Sequence, residues 1–432
     1  MAKKFYIKTF GCQMNVYDGL RIAAMLEHHG LESTDNVADA DIILLNTCAV
    51  RAKATDKVYS ALGRIRRAKK PDAIYGIVGC VARESGADAF RKIRDLNFVL
   101  GPQSYHKLPE IIKNPDSKLL DIDLGGLEKF DELPPITKSP FVAYIPVQEG
   151  CNHCCTYCIV PFTRGREISR PYNDILAETM HAAAVGAIEI CFIGQNVNGY
   201  KYTDENGKTY RLSDLIKQTA KIDSVKRIRF TSSYPTEMTD DLIELFKTES
   251  KLLPFLNMPI QSGSNNILQK MNRQYNLDEY ITIINKFKIA RPDIQISSDF
   301  IVGFPGETNT DFEQTVDIAK QIKYINSYSF KYSPRPHTAA AIMQNQIPEN
   351  IKSERLIKLD AVLNDIQREF NLSCQDKVFD CLYEGADKTG TKQIYRTPYM
   401  QPCIVETDNP TPMARIKITS GNKSCLHGKI VD

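Results

Sequence analysis

The chain has 432 residues, 42% of them hydrophobic and 25% charged. That is the make-up of a globular protein too long for one ordinary core, so two or three domains are expected. Its 55 basic and 52 acidic side chains leave a formal charge of +3, which excludes a chain-wide basic field and leaves only local patches for nucleic acid. The opening Met1-Ala2-Lys3-Lys4-Phe5 has no apolar run of signal-peptide length, and the longest apolar stretches, such as 42–45, are strand-sized. A cytoplasmic chain with no membrane partner is expected.

In chain order, residues 5–10 form an apolar β-prone run ending at Gly11, and Asn15 is placed to cap the helix that follows, with Ile22, Met25 and Leu26 on one face. Residues 41–47 (DIILLNT) read as a strand buried on both faces, 50–70 as a basic helix stopped by Pro71, and 73–79 as a third strand. The result is a small α/β domain with a parallel sheet over 1–115. Residues 116–138, with Pro134-Pro135, read as a linker. Over 139–369 six strands are predicted, at 141–148, 188–193, 227–231, 256–260, 295–301 and 327–332, with helical segments between them such as 174–185 and 311–322. Six parallel strands with crossover helices make a partial (β/α)6 barrel. After a helix near 353–370, the segment 370–432 turns to short β-prone pieces, among them 378–383 and 414–419, and reads as a small all-β domain.

Twelve cysteines in a chain without an export signal point to metal ligands, catalytic thiols or buried packing, not to a disulfide framework. The sharpest cluster is Glu149-Gly150-Cys151-Asn152-His153-Cys154-Cys155-Thr156-Tyr157-Cys158, where Cys151, Cys155 and Cys158 give C-x3-C-x2-C directly after the first barrel strand. Thiolates are the natural ligands of iron–sulfur clusters, and three of them leave one iron of a 4Fe–4S cubane open for a chelating amino acid. A zinc site would need a fourth ligand, for which only His153 or Cys154 is near, at spacings unlike the usual zinc patterns. A second set is distributed: Cys12, Cys48 and Cys80 each stand just beyond a predicted parallel strand, and strand ends on one sheet edge converge where α/β sheets bind ligands. Cys191 reads as core, and Cys374, Cys381, Cys403 and Cys425 as structural thiols without a C-x2-C element.

On these residues the sequence resembles the radical-SAM methylthiotransferases of the MiaB type over essentially its whole length. The likeness is carried by Thr9-Phe10-Gly11-Cys12-Gln13-Met14-Asn15, Asn46-Thr47-Cys48, Gly79-Cys80, the Cys151 to Cys158 loop and Pro161-Phe162-Thr163-Arg164-Gly165-Arg166-Glu167. Gly194-Gln195-Asn196-Val197, Pro259-Ile260-Gln261-Ser262-Gly263-Ser264 and the run from Asp299 to Thr308 (DFIVGFPGET) add to it. The resemblance implies an N-terminal domain with an auxiliary cluster, a radical-SAM core and a C-terminal TRAM-like RNA-binding domain. It implies two 4Fe–4S clusters, S-adenosylmethionine used twice per turnover as methyl donor and radical source, and methylthiolation of C2 of N6-isopentenyladenosine at position 37 of tRNA. The GCQMN form of the first cysteine motif fits that substrate better than threonylcarbamoyladenosine or a ribosomal-protein aspartate. A non-catalytic metal-containing RNA-binding protein is the alternative from another class.

The implied partners are the tRNA anticodon stem-loop and an electron donor such as a flavodoxin or ferredoxin, with the chain a monomer. Tyr157 is implied to stack on the cofactor adenine. Gln195, Ser232, Gln261, Gly303 and Glu307 lie at predicted strand ends and are candidate cofactor contacts. Arg83 departs from the family pattern, which places Gln soon after the third cysteine. With 8 basic and 7 acidic residues, 371–432 is too neutral to grip RNA alone. The 50–70 helix, with Arg51, Lys53, Lys57, Arg64, Arg66, Arg67, Lys69 and Lys70, and the trio Arg164, Arg166 and Arg170 are the basic patches that could add phosphate contacts.

Overall fold

A computed structural model describes the chain except for Met1, Val50, Arg51, Arg94, 115–117, Lys138, Lys388 and Asp432, and except for the side chains of 52–57. The strands Ile42–Thr47 and Ile74–Gly79 are buried at every residue, as a continuous apolar run between two helical layers must be. They are the centre of a six-stranded sheet, all pairs parallel, in the order Glu32–Ser33, Lys4–Thr9, Ile42–Thr47, Ile74–Gly79, Phe98–Leu100, Leu119–Asp121. One face packs on Ile22, Leu26 and Leu108, the other on Val58, Leu62 and Ala89.

Two expectations are corrected here. The 116–138 segment is not a free tether: Leu119–Asp121 adds the last strand of this sheet, and the helix Glu128–Glu132 sends Lys129 into the interior. Asn15 does not cap the first helix. That helix, Gln13–His28, starts on the extended backbone of Cys12. Asn15 lies in its first turn and donates to the carbonyl of Phe10 and to Asn46 Oδ1.

The central region carries Val142–Pro146, Glu189–Ile193 and Arg227–Phe230 as parallel neighbours. A bridge from Ile228 to Leu252 leads on to Phe255–Asn257, which pairs with Gln295–Ser297, and Asp299–Val302 pairs with Tyr328–Lys331. The strand expected at 295–301 is broken at Ser298. Its amide donates to Ser327 Oγ while its own Oγ accepts from the amide of Ile260, so two hydroxyls replace ladder bonds. Helices Tyr172–Ala184, Leu212–Thr219, Asp240–Thr248, Leu277–Ala290 and Asn309–Ile322 wrap this partial barrel. Among the described residues no pairing closes Tyr328–Lys331 onto Val142–Pro146.

The helix Glu349–Ser373 leads into a closed five-stranded barrel in the order Val378–Ala386, Gln393–Arg396, Pro402–Val405, Leu426–Ile430, Met413–Gly421. Cys374, Cys381 and Cys403 lie in its core with Tyr395, Ile416 and Leu426. Arg227 donates to the carbonyls of Arg396 and Thr397, and Asn326 to that of Tyr399. Both donors stand at strand starts, so this barrel caps the N-terminal end of the central strands and leaves their C-terminal end clear.

The N-terminal helix Gln13–His28 locks onto the central domain through Arg21. Its guanidinium pairs with Glu178 at 3.2 Å and donates to the carbonyls of Phe130 and Leu133. Arg170 reaches the other Glu178 oxygen at 2.7 Å. Burial alone would raise the Glu178 carboxyl, but Arg170 and Arg21 outweigh it and hold the group lowered. Glu178→Ala strands two buried guanidinium groups, and chemical denaturation is expected to show a loss of about 3–5 kcal/mol.

Candidate active site

The N-terminal cysteines sit where the strands stop. Cys48 follows Ile42–Thr47, Cys80 opens a short helix straight after Ile74–Gly79, and Cys12 comes three residues after Lys4–Thr9. Because the three strands are adjacent and parallel, their C-terminal ends share one edge, and the thiols share it with them. Gly11 holds φ +110°, and a Cβ there would lie 2.1 Å from Cys48 Cβ. Gly79, at φ +91°, would put one 2.6 Å from the carbonyl oxygen of Thr47. Cys12 is drawn down to about 6, chiefly by the hydrogen bond it shares with Cys48 and then by the charge of Arg164. Burial pushes the Cys80 thiol up, with Arg164 opposing.

The second set lies on the loop after the first barrel strand. Gly150, at φ +78°, allows the close approach of the Arg166 carbonyl, which a Cβ would meet at 2.1 Å. Its amide donates to Gln195 Oε1 at 2.6 Å, so the strand end at Gln195 fixes the entry to Cys151. Asn272, itself at φ 58°, donates to the carbonyls of His153 and Cys154, and Thr156 is held by the carbonyls of Met271 and Lys270. Cys151, Cys155 and Cys158 are half-buried, while Cys154, outside their C-x3-C-x2-C spacing, is exposed. Burial pushes Cys151 up to about 11 and Cys158 up to about 12.

The candidate cofactor contacts divide. Gln195, Ser232 and Gln261 stand at the C-terminal ends of central strands, and Ser232 and Gln261 hold positive φ of 64° and 73°. Left-handed backbone at non-glycine residues costs free energy and clusters at functional sites. Tyr157 meets Phe304 edge-on and packs in an apolar cluster with Ile267, Met271 and Tyr332 on the barrel rim. Glu307 is turned inward: one carboxylate oxygen accepts from the Gly303 amide at 2.7 Å and from Arg355. Burial pushes this carboxyl up to about 7. Gly303 itself is pressed on the Lys352 stem, which a Cβ would meet at 2.4 Å.

Two family models match the chain: "Uncharacterized protein family UPF0004" over residues 4–101 and "Radical SAM superfamily" over 145–319. A protein of Rickettsia canadensis named tRNA-2-methylthio-N(6)-dimethylallyladenosine synthase is 46% identical over 444 residues, covering 100% of both chains. The chain belongs to this synthase family. Members from Orientia tsutsugamushi and Zymomonas mobilis bear the same name at 46% and 44% identity, covering 100% of this chain and 99% and 97% of theirs. Among solved structures, the radical S-adenosylmethionine methyltransferase TsrM of Kitasatospora setae superposes with a TM-score of 0.55 at 13% identity, over 79% of this chain and 77% of that one. At that identity the likeness shows the fold alone.

Membership in the synthase family brings the cofactors expected from the sequence, S-adenosylmethionine and 4Fe–4S clusters. The two cysteine sets fit such groups: one offers thiols just past three adjacent strand ends and the other offers three thiols on one loop, and Gly11 and Gly150 give up a side chain to let Cys48 and the Arg166 carbonyl approach. Among the described residues no three His, Cys, Asp or Glu side chains stand close enough together to hold a metal ion, and this applies to both cysteine sets as they stand. Gly11→Ala would force Cys48 aside, and iron analysis after reconstitution is expected to show the N-terminal share of the iron lost and the share of the Cys151 loop kept.

Sequence reasoning missed several residues here. Arg273 donates to Cys155 Sγ at 3.5 Å, to Tyr275 and to the Pro259 carbonyl, and its guanidinium lies over the Tyr234 ring. His153 stacks on Tyr234 with centroids 3.6 Å apart. Arg273 stands 115 residues past the loop, with no local pattern to mark it. Of the basic trio, only Arg166 is exposed; Arg164 and Arg170 are buried and paired, so they are corrected from RNA contacts to interior ion pairs. In the basic helix Arg66 pairs with Asp95 and Lys70 with Asp41, while Arg64 and Arg67 stay exposed. The side chains of Arg51, Lys53 and Lys57 lie outside the described residues. Arg83, the departure from the family pattern, donates to the carbonyls of Phe162 and Ile122 and so ties the two domains.

Proposed function

We propose that this enzyme adds a methylthio group to C2 of N6-dimethylallyladenosine at position 37 of tRNA. In this reading Cys151, Cys155 and Cys158 hold the cluster that binds S-adenosylmethionine, and Cys12, Cys48 and Cys80 hold the auxiliary cluster. The observation that carries it is end-to-end likeness, at 44–46% identity, to relatives named for that product. The Gly11-Cys12-Gln13-Met14-Asn15 segment supports the same substrate.

The target carbon carries an unactivated C–H, which acid–base groups cannot replace by sulfur. When bound, the reduced cluster and S-adenosylmethionine supply the radical chemistry for that step. The chain's own residues orient and shield. Gln195 holds the Gly150 amide, and Asn272 holds the carbonyls of the loop. Gln195, Ser232 and Gln261 face the cofactor from their strand ends, and Tyr157 closes the apolar side of its site. Glu307 acts at one remove, by fixing the Gly303 turn. The C-terminal barrel is a TRAM-like RNA-binding module that engages the anticodon stem-loop together with Arg64, Arg67 and Arg166. The chain works as a cytoplasmic monomer supplied with electrons by a flavodoxin or ferredoxin. No helix among the described residues is long and apolar enough to cross a membrane.

The test is complementation. Expressed in cells that make dimethylallyladenosine but lack its methylthiolation, the chain should restore the 2-methylthio nucleoside in digested tRNA. Methylthiolated threonylcarbamoyladenosine, or no new nucleoside with active protein, would contradict the assignment.

A further inference from the structure

Four charged side chains form a closed ring between the two cysteine sets. Arg164 pairs with Glu149 at 2.5 Å and with Asp18 at 3.3 Å; Lys129 pairs with the same two carboxylates at 2.8 and 3.1 Å. All four side chains are at most 3% exposed. The ring draws on four separate stretches of chain. Asp18 lies on the first helix six residues after Cys12, Lys129 on the 128–132 helix, Glu149 two residues before Cys151, and Arg164 six residues after Cys158. Two cations alternate with two anions, so the ring is electrically balanced. Burying four ions still carries a desolvation penalty that packed apolar side chains would avoid. Stability alone is therefore a weak reason for the ring, and its remaining contacts show where it acts. Arg164 keeps two further hydrogen bonds: Nε donates to Cys80 Sγ at 3.3 Å, and Nη2 to Asn15 Oδ1 at 3.2 Å. Asn15 in turn donates to Asn46 and to the Phe10 carbonyl and accepts from Cys12 Sγ at 3.6 Å. One guanidinium from the central domain thus reaches a thiol of the N-terminal set directly and a second through one amide.

We infer that Arg164 is a positioning residue of the auxiliary cluster, which the N-terminal domain cannot complete alone: its Nε–H holds the Cys80 sulfur, and its charge favours the reduced, more negative state of the cluster. The inference rests on the reading that Cys12, Cys48 and Cys80 hold a cluster. Hydrogen bonds to cluster sulfurs and nearby charge set iron–sulfur potentials, so removing this donor shifts the potential downward. Through Glu149 the same guanidinium is tied to the entry of the Cys151 loop, which fixes the two sites relative to one another.

The test uses the full chain carrying C151A, C155A and C158A, so that only the auxiliary set can load. After anaerobic reconstitution, iron is counted, the potential is read by titration followed by electron paramagnetic resonance, and iron loss to a chelator is timed. R164K keeps the charge and removes the fork. R164M with E149Q removes one cation and one anion together and keeps the ring balanced. Both are expected to load, with potentials below that of Arg164, the double variant lower than the lysine one, and with iron lost several-fold faster. If the double variant fails to fold, R164K alone decides. A loaded variant with the parent's potential and chelator rate would overturn the inference. Absence of iron from the Arg164 parent would instead overturn the cluster reading on which it rests.

Discussion

Alanine at Cys12, Cys48 or Cys80 is expected to leave S-adenosylmethionine cleavage running and to cut the methylthiolated product by more than ~10²-fold, beyond what loss of an outer-shell partner usually costs. The separation follows from the architecture. These thiols stand on the N-terminal sheet edge, whereas the loop from Cys151 to Cys158 is held by Gln195, Asn272, Met271 and Lys270, all from the central barrel. Removing an N-terminal thiol touches none of those bonds. The check is a paired assay of 5′-deoxyadenosine and modified nucleoside from one reaction. Parallel loss of both would mean that the N-terminal set is needed for cofactor cleavage itself, and retained product would remove it from sulfur transfer altogether.

Alanine at Cys151, Cys155 or Cys158 is expected to abolish both outputs, each by more than ~10²-fold, while the iron of the N-terminal set remains. Three thiols leave no spare ligand for a cubane. The exposed Cys154, which stands outside the C-x3-C-x2-C spacing, is the internal control, and Cys154→Ala should stay within about twofold of the parent. A large loss at Cys154 with activity kept at Cys155 would mean that the loop's register had been misassigned. Chromatographic quantification of 5′-deoxyadenosine reads the distinction directly.

The placement of Cys12, Cys48 and Cys80 just past strand ends was legible in the sequence, because buried parallel strands announce themselves as unbroken apolar runs such as Ile-Ile-Leu-Leu at 42–45. The partial barrel followed from the same signal. What escaped notice was set by tertiary partners. Leu119–Asp121 is only three half-exposed residues and gains its strand character from Phe98–Leu100 alone. Arg164 and Arg170 read as a basic patch because their carboxylate partners, Asp18 and Glu178, are remote or carry no local pattern. Asn15 has the chemistry of a helix cap, but the Asn46 side chain and the Phe10 carbonyl compete for its amide and win. In the C-terminal barrel the alternation of Met413–Gly421 is visible in sequence, whereas closure depends on the parallel pairing of Pro402–Val405 with Leu426–Ile430.

The most direct test of the central claim is isotopic. Transfer RNA carrying dimethylallyladenosine with deuterium at C2 is incubated anaerobically with reconstituted enzyme, reductant and S-adenosylmethionine. The 5′-deoxyadenosine and the nucleosides are then weighed by mass spectrometry. Deuterium in 5′-deoxyadenosine, matched by methylthiolated nucleoside that has lost it, is the result predicted. Unlabelled 5′-deoxyadenosine with deuterium still at C2 would contradict hydrogen abstraction at that carbon, and with it the proposed reaction.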